Sequence, residues 1–492
     1  NILIHINQSI QHHEIEHHEI EHNDNKNITT YYTNPNYNLH KHNIIYYTNQ
    51  DSTLNKIQYL RNKMQKNNAQ AYVINNIEEA SWLLNIRGRY NKNNMSCPVH
   101  IIIKHNTLDI YTDITLNLDK LSYTTNSKDT LPTTIKIKPM QEFYSDIKLI
   151  NYAILLSPSN FFTYKTLKEH IVSYNTTKSI IALIKRVKNN NEIDQIKKIH
   201  IQDAVILIQF YAWIHDQHIH KKQLYEMDLA KHLLSLREKN KSYICNSFEP
   251  IIAINAGSAI PHYNTQKNNT KLENGILLID TGGHYEGGTT DVTRSFFLNN
   301  NGEKPTQQMK YIYTTVLKAH LSIYKTIMPQ SCPMSNIGAI IRNQILSQEF
   351  TTNKTLYYSQ SDIINYGHGT GHGIGNCLNV HEHVCNRLED QSSLANNLLF
   401  SNEPGLYLPE QFGIRIENAM LSQPYTTNTN YITFENLTFI PFSKALIDKN
   451  LINETEKNII LQYYKQINEK ITPLIKCNNT LTWLKNELNI EL

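Results

Sequence analysis

The rhythm of apolar and polar positions divides this chain of 492 residues into three parts. Residues 1–50 are polar and repetitive, His12-His13-Glu14-Ile15-Glu16 being copied as His17-His18-Glu19-Ile20-Glu21, with no face on which a core could form. A disordered low-complexity tail or linker is expected there. From 51 to 180 the pattern becomes globular. Leu54, Ile57 and Leu60 recur at helical spacing, Ala71-Tyr72-Val73-Ile74 reads as a strand, and residues 100–104 and 108–112 read as two strands about a His105-Asn106 turn. A small α/β domain accounts for this. Residues 181–492 open with helix-like stretches at 193–213 and 227–236 and continue as short apolar runs broken by glycine-rich turns. The expected fold class is α/β (α+β): a smaller α/β domain followed by a larger mixed domain that holds all the candidate chemistry.

Composition narrows the functions. Lys plus Arg number 47 against 43 Asp plus Glu, a net charge of +4 with no basic block, so no nucleic-acid partner is expected. No apolar stretch approaches the roughly 18 residues that span a bilayer, and none marks a signal peptide. Six cysteines are sparse for this length and fit a reducing compartment; a cytoplasmic location is expected. The first residue is Asn rather than Met, which points to a fragment or a processed product.

Three metal-like patterns compete. His13-Glu14-Ile15-Glu16-His17 and His18-Glu19-Ile20-Glu21-His22 both match the zinc pattern in which two histidines share a helical face, but they arise from a duplication in a tail without a core. Cys377, His381, His383 and Cys385 lack the spacing of the usual structural zinc sites. The third group is spread over five places, each with a local reason. Asp280 ends the buried-strand signal Gly275-Ile276-Leu277-Leu278-Ile279, ahead of the turn former Thr281-Gly282-Gly283, and an unpaired carboxylate there is costly to bury without a cation. Taken alone, Asp280 could equally be a surface residue opening a turn. Asp291 lies on the next strand signal, where a hairpin would bring it to face Asp280. In His368-Gly369-Thr370-Gly371-His372-Gly373 the glycines permit close approach while imidazoles project, and the lysine of a phosphate loop is missing. Glu403 opens Glu-Pro-Gly. In the run 412–418, alternation sends Ile414 and Ile416 to the core and Arg415 with Glu417 to the other face, where Arg415 could hold Glu417. Four carboxylates and one imidazole suit two hard divalent cations that activate a shared water.

These motifs, with Ile260-Pro261-His262-Tyr263, Thr289-Thr290-Asp291-Val292-Thr293-Arg294, Val380-His381-Glu382 and Glu403-Pro404-Gly405, make the segment 248–418 resemble the pita-bread metallopeptidases, and within them the X-Pro aminopeptidases. Val187-Lys188-Asn189 and Trp82-Leu83-Leu84-Asn85-Ile86-Arg87-Gly88 extend the resemblance over roughly 52–492. It implies a creatinase-like N-terminal domain at 51–180 and a pita-bread catalytic domain at 181–492. It further implies that Asp280, Asp291, His372, Glu403 and Glu417 hold two ions, usually manganese; that His262, His368 and His381 bind substrate and its intermediate; that Arg415 stands behind the ligands; and that Glu403 manages the proton. The expected partners are peptides with proline second, with no membrane or nucleic acid, and a homodimer is the assembly to test. Creatinase shares the fold but lacks the metal ligands. Prolidase, acting on X-Pro dipeptides, is the alternative within the fold, and an inactive peptide-binding module the alternative outside catalysis; the latter would show eroded ligands. Methionine aminopeptidase lacks the preceding domain. Eukaryotic relatives commonly carry a further N-terminal domain that fifty repetitive residues cannot supply, and His383 stands where they usually have Gly.

Overall fold

The computed structural model of the protein describes residues 44–47, 51–121, 134–157, 163, 174–176, 179–346, 367–385 and 392–491. The repeats at 13–22 lie outside them. Residues 44–47, expected to belong to the tail, join the fold: the strand Ile45–Tyr46 pairs with Ile86–Arg87, and Tyr47 packs among Met95, Cys245 and Cys377.

The N-terminal domain is a six-stranded mixed sheet, ordered Thr134–Lys138, Thr107–Tyr111, His100–Lys104, Ala71–Ile74, Ile154–Leu156 and Tyr174–Thr176. Its centre is the expected hairpin, antiparallel with Ile103 opposite Leu108 and shifted by one residue from the expected 108–112. Helix Thr53–Lys66 covers the sheet with Ile57, Leu60 and Met64, its N-terminus capped by the Ser52 hydroxyl.

The following helix, Asn190–Ile219, starts at a capping box in which Asn189 and Glu192 each accept the other's backbone N–H. It packs against Glu226–Arg237 and, near its end, Asn478–Leu488. Between these helices run two sheets that matter for function. A three-stranded antiparallel sheet is ordered Ile251–Ile254, Gly275–Thr281, Val292–Leu298. A six-stranded sheet is ordered Met328–Pro329, Asn428–Asn436, Asn418–Tyr425, Leu399–Asn402, His372–Ile374, His381–Cys385. The hairpin of Gly405–Leu408 with Phe412–Arg415 lies close to the first sheet. Apolar side chains from most of these strands and the helices form one core, including Leu277, Ile279, Phe296, Ile414 and Ile416, and Ile374 packs in a second cluster with Leu399 and Leu421. No described helix is long and apolar enough to cross a membrane.

Candidate metal centre

Strand register converges the scattered acids. Asp280 pairs with Thr293 across the Gly275–Thr281 and Val292–Leu298 strands. Asp291 lies one residue before the second of these strands and shares a face with Thr293, so it stands beside Asp280 rather than opposite it as expected. The turn between them is tight: a Cβ at Gly282 would sit 2.0 Å from the Thr290 carbonyl oxygen. On the other sheet Asn402 pairs with Asn418, so Glu403 and Glu417 project from neighbouring strand ends. The two sheets are tied at this point by Glu417 N–H to the Thr293 carbonyl, 3.1 Å, and by the buried Arg294 guanidinium, which donates to the Glu417 carbonyl at 2.7 Å and to Asn418 Oδ1 at 2.7 Å.

His372 enters from the adjoining strand. Its backbone N–H donates to Ser401 Oγ (2.9 Å), and its Nδ1 faces the Gly373 carbonyl oxygen at 2.8 Å. With Nδ1 donating to that carbonyl, a neutral ring turns the lone pair of Nε2 towards Asp291 Oδ2, 3.3 Å away, and Glu403 Oε1, 3.6 Å away. One ligand atom each from Asp291, His372 and Glu417 lies within 4.8 Å of the others. Asp280 and Glu403 adjoin this group electrostatically.

The electrostatics are those of an acid cluster short of positive charge. Burial, then the neighbouring Asp291 and Glu403, raises the Glu417 carboxyl well above its usual range. Burial likewise raises Asp291. Glu403 is pushed up to about 7, mainly by burial, with His372 opposing and Asp291 adding to the rise. Burial disfavours the charged form of His372, but Asp291 and Glu403 outweigh it and lift the ring to about 9, so in the metal-free protein Nε2 carries a proton that a bound cation would replace. Arg415 is committed elsewhere: its Nη2 donates to Asp280 Oδ2 at 2.7 Å, its Nη1 to Tyr407 Oη at 2.7 Å and its Nε to Thr293 Oγ1 at 3.2 Å. The expected bond from Arg415 to Glu417 is therefore absent. Glu417 Oε2 instead accepts from the Thr293 hydroxyl, 2.8 Å, since all three guanidinium nitrogens of Arg415 are taken by Thr293, Tyr407 and Asp280. Asp280 Oδ1 is buried without a hydrogen-bond partner. An orphaned carboxylate oxygen beside three further acids and a histidine lone pair fits divalent cations, and hard oxygen donors fit the Mg/Mn/Ca class better than a soft thiolate metal.

The other predicted residues surround this group. His381 is exposed, and its ring stands edge-on to His372, centroids 4.3 Å apart. His368 Nδ1 faces the Gly369 carbonyl at 2.7 Å while Nε2 takes the Tyr407 hydroxyl at 2.7 Å. Burial, with Arg415 second, holds His368 down at about 3, so it stays neutral. His262 is exposed in the turn ahead of Thr265–Asn268 and couples to His368 electrostatically. Cys377 is a buried free thiol packed against Tyr47 and Cys245, and the backbone of His383 and Cys385 lies in the strand that carries His381.

Two residues escaped the sequence reading. Tyr407 joins His368 to Arg415, and Thr293 joins Glu417 to Arg415. Strand parity could have found both, since Thr293 is two residues after Asp291, and Tyr407 is four after Glu403.

A model described as Metallopeptidase family M24 matches residues 194–424, one described as Creatinase/Prolidase N-terminal domain matches 34–192, and one for the C-terminal region of peptidase M24 matches 430–489. The chain belongs to metallopeptidase family M24, on the side of the Xaa-Pro aminopeptidases. It is 32% identical over 452 residues to Xaa-Pro aminopeptidase 1 of Dictyostelium discoideum, covering 88% of this chain and 68% of the relative. A probable Xaa-Pro aminopeptidase P of Pyrenophora tritici-repentis is 30% identical, with 88% and 73% covered. Among solved structures, the X-prolyl aminopeptidase from Caenorhabditis elegans, described as a cytosolic enzyme with a di-nuclear active site, superposes with a TM-score of 0.78 at 25% identity, over 91% of this chain and 73% of that one. The prolidase from Pyrococcus horikoshii OT3 shares the fold, with a TM-score of 0.57 at 23% identity over 79% of this chain and 99% of its own.

Proposed function

We propose that this protein is a metal-dependent aminopeptidase that releases the first residue from peptides with proline in the second position, and that Asp280, Asp291, His372, Glu403 and Glu417 hold its two divalent ions. The observation that carries the reading is the packing of Asp291, His372 and Glu417 ligand atoms within 4.8 Å, in a chain 32% identical to a named Xaa-Pro aminopeptidase. Manganese is the ion we propose, supported by the hard oxygen-rich donor set. Bound cations would supply Lewis-acid polarisation of the scissile carbonyl and a lowered pKa for water.

The residues of the chain divide the remaining work. Glu403, hydrogen-bonded by Ser401 at 3.2 Å and next to the His372 ring, is suited to take a proton from water and return it to the proline nitrogen as the bond breaks. His381, exposed beside His372, is suited to donate to the oxyanion of the tetrahedral intermediate. His262 and the neutral His368 orient the substrate, and the Arg415–Tyr407 pair holds His368 and Asp280 in place without entering the reaction. A division of the chain into these two domains belongs to this reading; we place it near residue 180, ahead of the junction of the family models at 192 and 194. Cytosolic peptide turnover is the proposed setting, and a homodimer is the assembly to test by sedimentation.

Comparing an X-Pro dipeptide with an X-Pro-X tripeptide tests the substrate class. The tripeptide is expected to be the better substrate, and preference for the dipeptide would turn the assignment to prolidase. Activity is expected to vanish with a chelator and return with manganese; no recovery with any divalent ion would favour a binding module.

A further inference from the structure

Glu382 is an acid with no solvent contact, one residue after His381. Strand alternation sends the two side chains to opposite faces: His381 outward beside His372, Glu382 into the protein. There its Oε2 meets Lys188 Nζ, and its Oε1 lies 3.2 Å from Lys185 Nζ. Both lysines are themselves buried, 1% and 5% exposed. Lys185 continues to Glu78, on the helix Ile77–Leu83 of the N-terminal domain. Two acids and two lysines thus form a chain of charges with no net charge, running from the N-terminal domain, through the link at 185–188, to the strand that carries His381.

The same stretch is held a second time. Arg87 of the N-terminal domain donates from Nε and Nη2 to the Asn376 carbonyl, at 3.3 and 3.1 Å, and Asn376 Nδ2 donates to Glu192 Oε1 at 3.0 Å. Beside the hold at Asn376 the chain turns sharply, since a Cβ at Gly375 would lie 2.3 Å from the Asn379 carbonyl oxygen. The loop joining His372 to His381 is therefore clamped at both ends by groups outside the catalytic sheets. Apolar contacts would fasten a strand as strongly as buried ion pairs do, because desolvation cancels most of the attraction; what a buried ion pair adds is a fixed geometry.

We propose that Glu382, gripped by Lys188 and Lys185, is a positioning residue for turnover: it sets His381 against His372, and the Glu78–Lys185 pair makes the N-terminal domain part of that setting. The inference rests on the role given to His381 above. Its test uses the full-length, metal-loaded protein with a tripeptide substrate, following kcat, KM, metal content and melting temperature together. Glu382→Gln is expected to lower kcat by about 10- to 100-fold with KM changed by less than about threefold, as a displacement of one group by about an ångström does. Lys188→Arg should retain turnover where Lys188→Met does not, and Glu78→Gln should lose roughly three- to tenfold, its effect passing through Lys185. A lowered melting temperature with unchanged kcat per metal-loaded molecule would overturn the proposal, leaving the charges a structural role alone. Should Glu382→Gln fail to fold, Glu78→Gln decides in the same way, because that side chain is 16% exposed and lies at the far end of the chain of charges. A wild-type protein that does not turn over the tripeptide would instead defeat the proposed function; an active wild type with unaffected variants defeats only the positioning role.

Discussion

Two buried acidic groups adjoin the Asp280–Asp291 hairpin, and they are treated in opposite ways. Asp203 receives Arg237 through Nε to Oδ1 (3.1 Å) and Nη2 to Oδ2 (3.3 Å), the Tyr285 hydroxyl at 2.6 Å and the Thr290 hydroxyl at 2.6 Å. Burial alone would push this acid up, but Arg237 and the two hydroxyls pull it below its ordinary value. The Asp280, Asp291, Glu403 and Glu417 group has one guanidinium, bonded to Asp280 alone, and three of its members are raised. Arg237 Nη1 also grips Thr281 Oγ1 (2.8 Å) and the Gly282 carbonyl (2.9 Å), so the satisfied group braces the turn between Asp280 and Asp291. Completing one acidic site with the chain's own cation while leaving the next short of charge is what the proposed metal centre requires.

The comparison is broken most directly at Glu403. Glu403→Ala is expected to lower release of the first residue from an X-Pro-X peptide by at least ~10²- to 10⁴-fold, the range that a proton-transferring group supplies. The metal-free variant should melt no lower than metal-free wild type, because removing one raised carboxylate relieves repulsion. Near-normal turnover would sink the role assigned to Glu403, and a large fall in melting temperature would mean that the cluster is a structural network like that of Asp203.

This contrast marks the limit of what the sequence shows. The strand Gly275–Thr281, the central hairpin of the N-terminal domain and the helix Asn190–Ile219 were legible because each has a sustained apolar period and a polar boundary. The four acids and one histidine of the candidate site stood out as candidates because each stands next to glycine, proline or a strand end. Arg415 was legible as a residue but not in its partner: whether it reaches Asp280 or Glu417 depends on how two separate sheets meet, and no local pattern records that. The Asp203–Arg237 pair, 34 positions apart, and the Glu78–Lys185–Glu382 chain, whose ends are some 300 residues apart, were invisible for the same reason. Ion pairs leave no periodicity.

Asp203→Asn tests the satisfied group. It keeps the shape and removes the charge, leaving Arg237 buried with its positive charge unbalanced. A stability loss of about 3–5 kcal/mol is expected, read as a lower denaturation midpoint. Because Asp203 touches none of the candidate ligands through its side chain, the loss in stability should exceed any loss in kcat of the molecules that remain folded. A variant as stable as wild type would remove the distinction on which the comparison depends.

Acid should separate the two groups without any mutation. In the metal-free protein the raised carboxylates of the candidate metal site gain protons first as pH falls from neutrality; protons and cations compete for them, so metal affinity and activity are expected to fall with pH. Asp203, held below its ordinary value, contributes stability that is present above the unfolded pKa near 3.8 and lost only as pH falls past it. Between these events lie the buried histidines outside the candidate ligand set, His284 and His320 among them. His284, wedged between Thr289 Oγ1 (2.9 Å) and the Asn93 carbonyl (3.1 Å), is lowered by burial to about 4, and His320 by burial and then Arg294 to about 3. A base whose folded pKa is depressed gives stability that is fully present above its unfolded pKa near 6.5 and fades as pH falls towards the folded value. Each should therefore withdraw on the order of 1 kcal/mol for the first unit of pH below 6.5. The expected order on acidification is loss of activity and bound metal, then a falling melting temperature, then unfolding. Metal retained down to the pH of unfolding would show that the candidate cluster is no more prone to protonation than Asp203, and the contrast between the two acidic groups would fail.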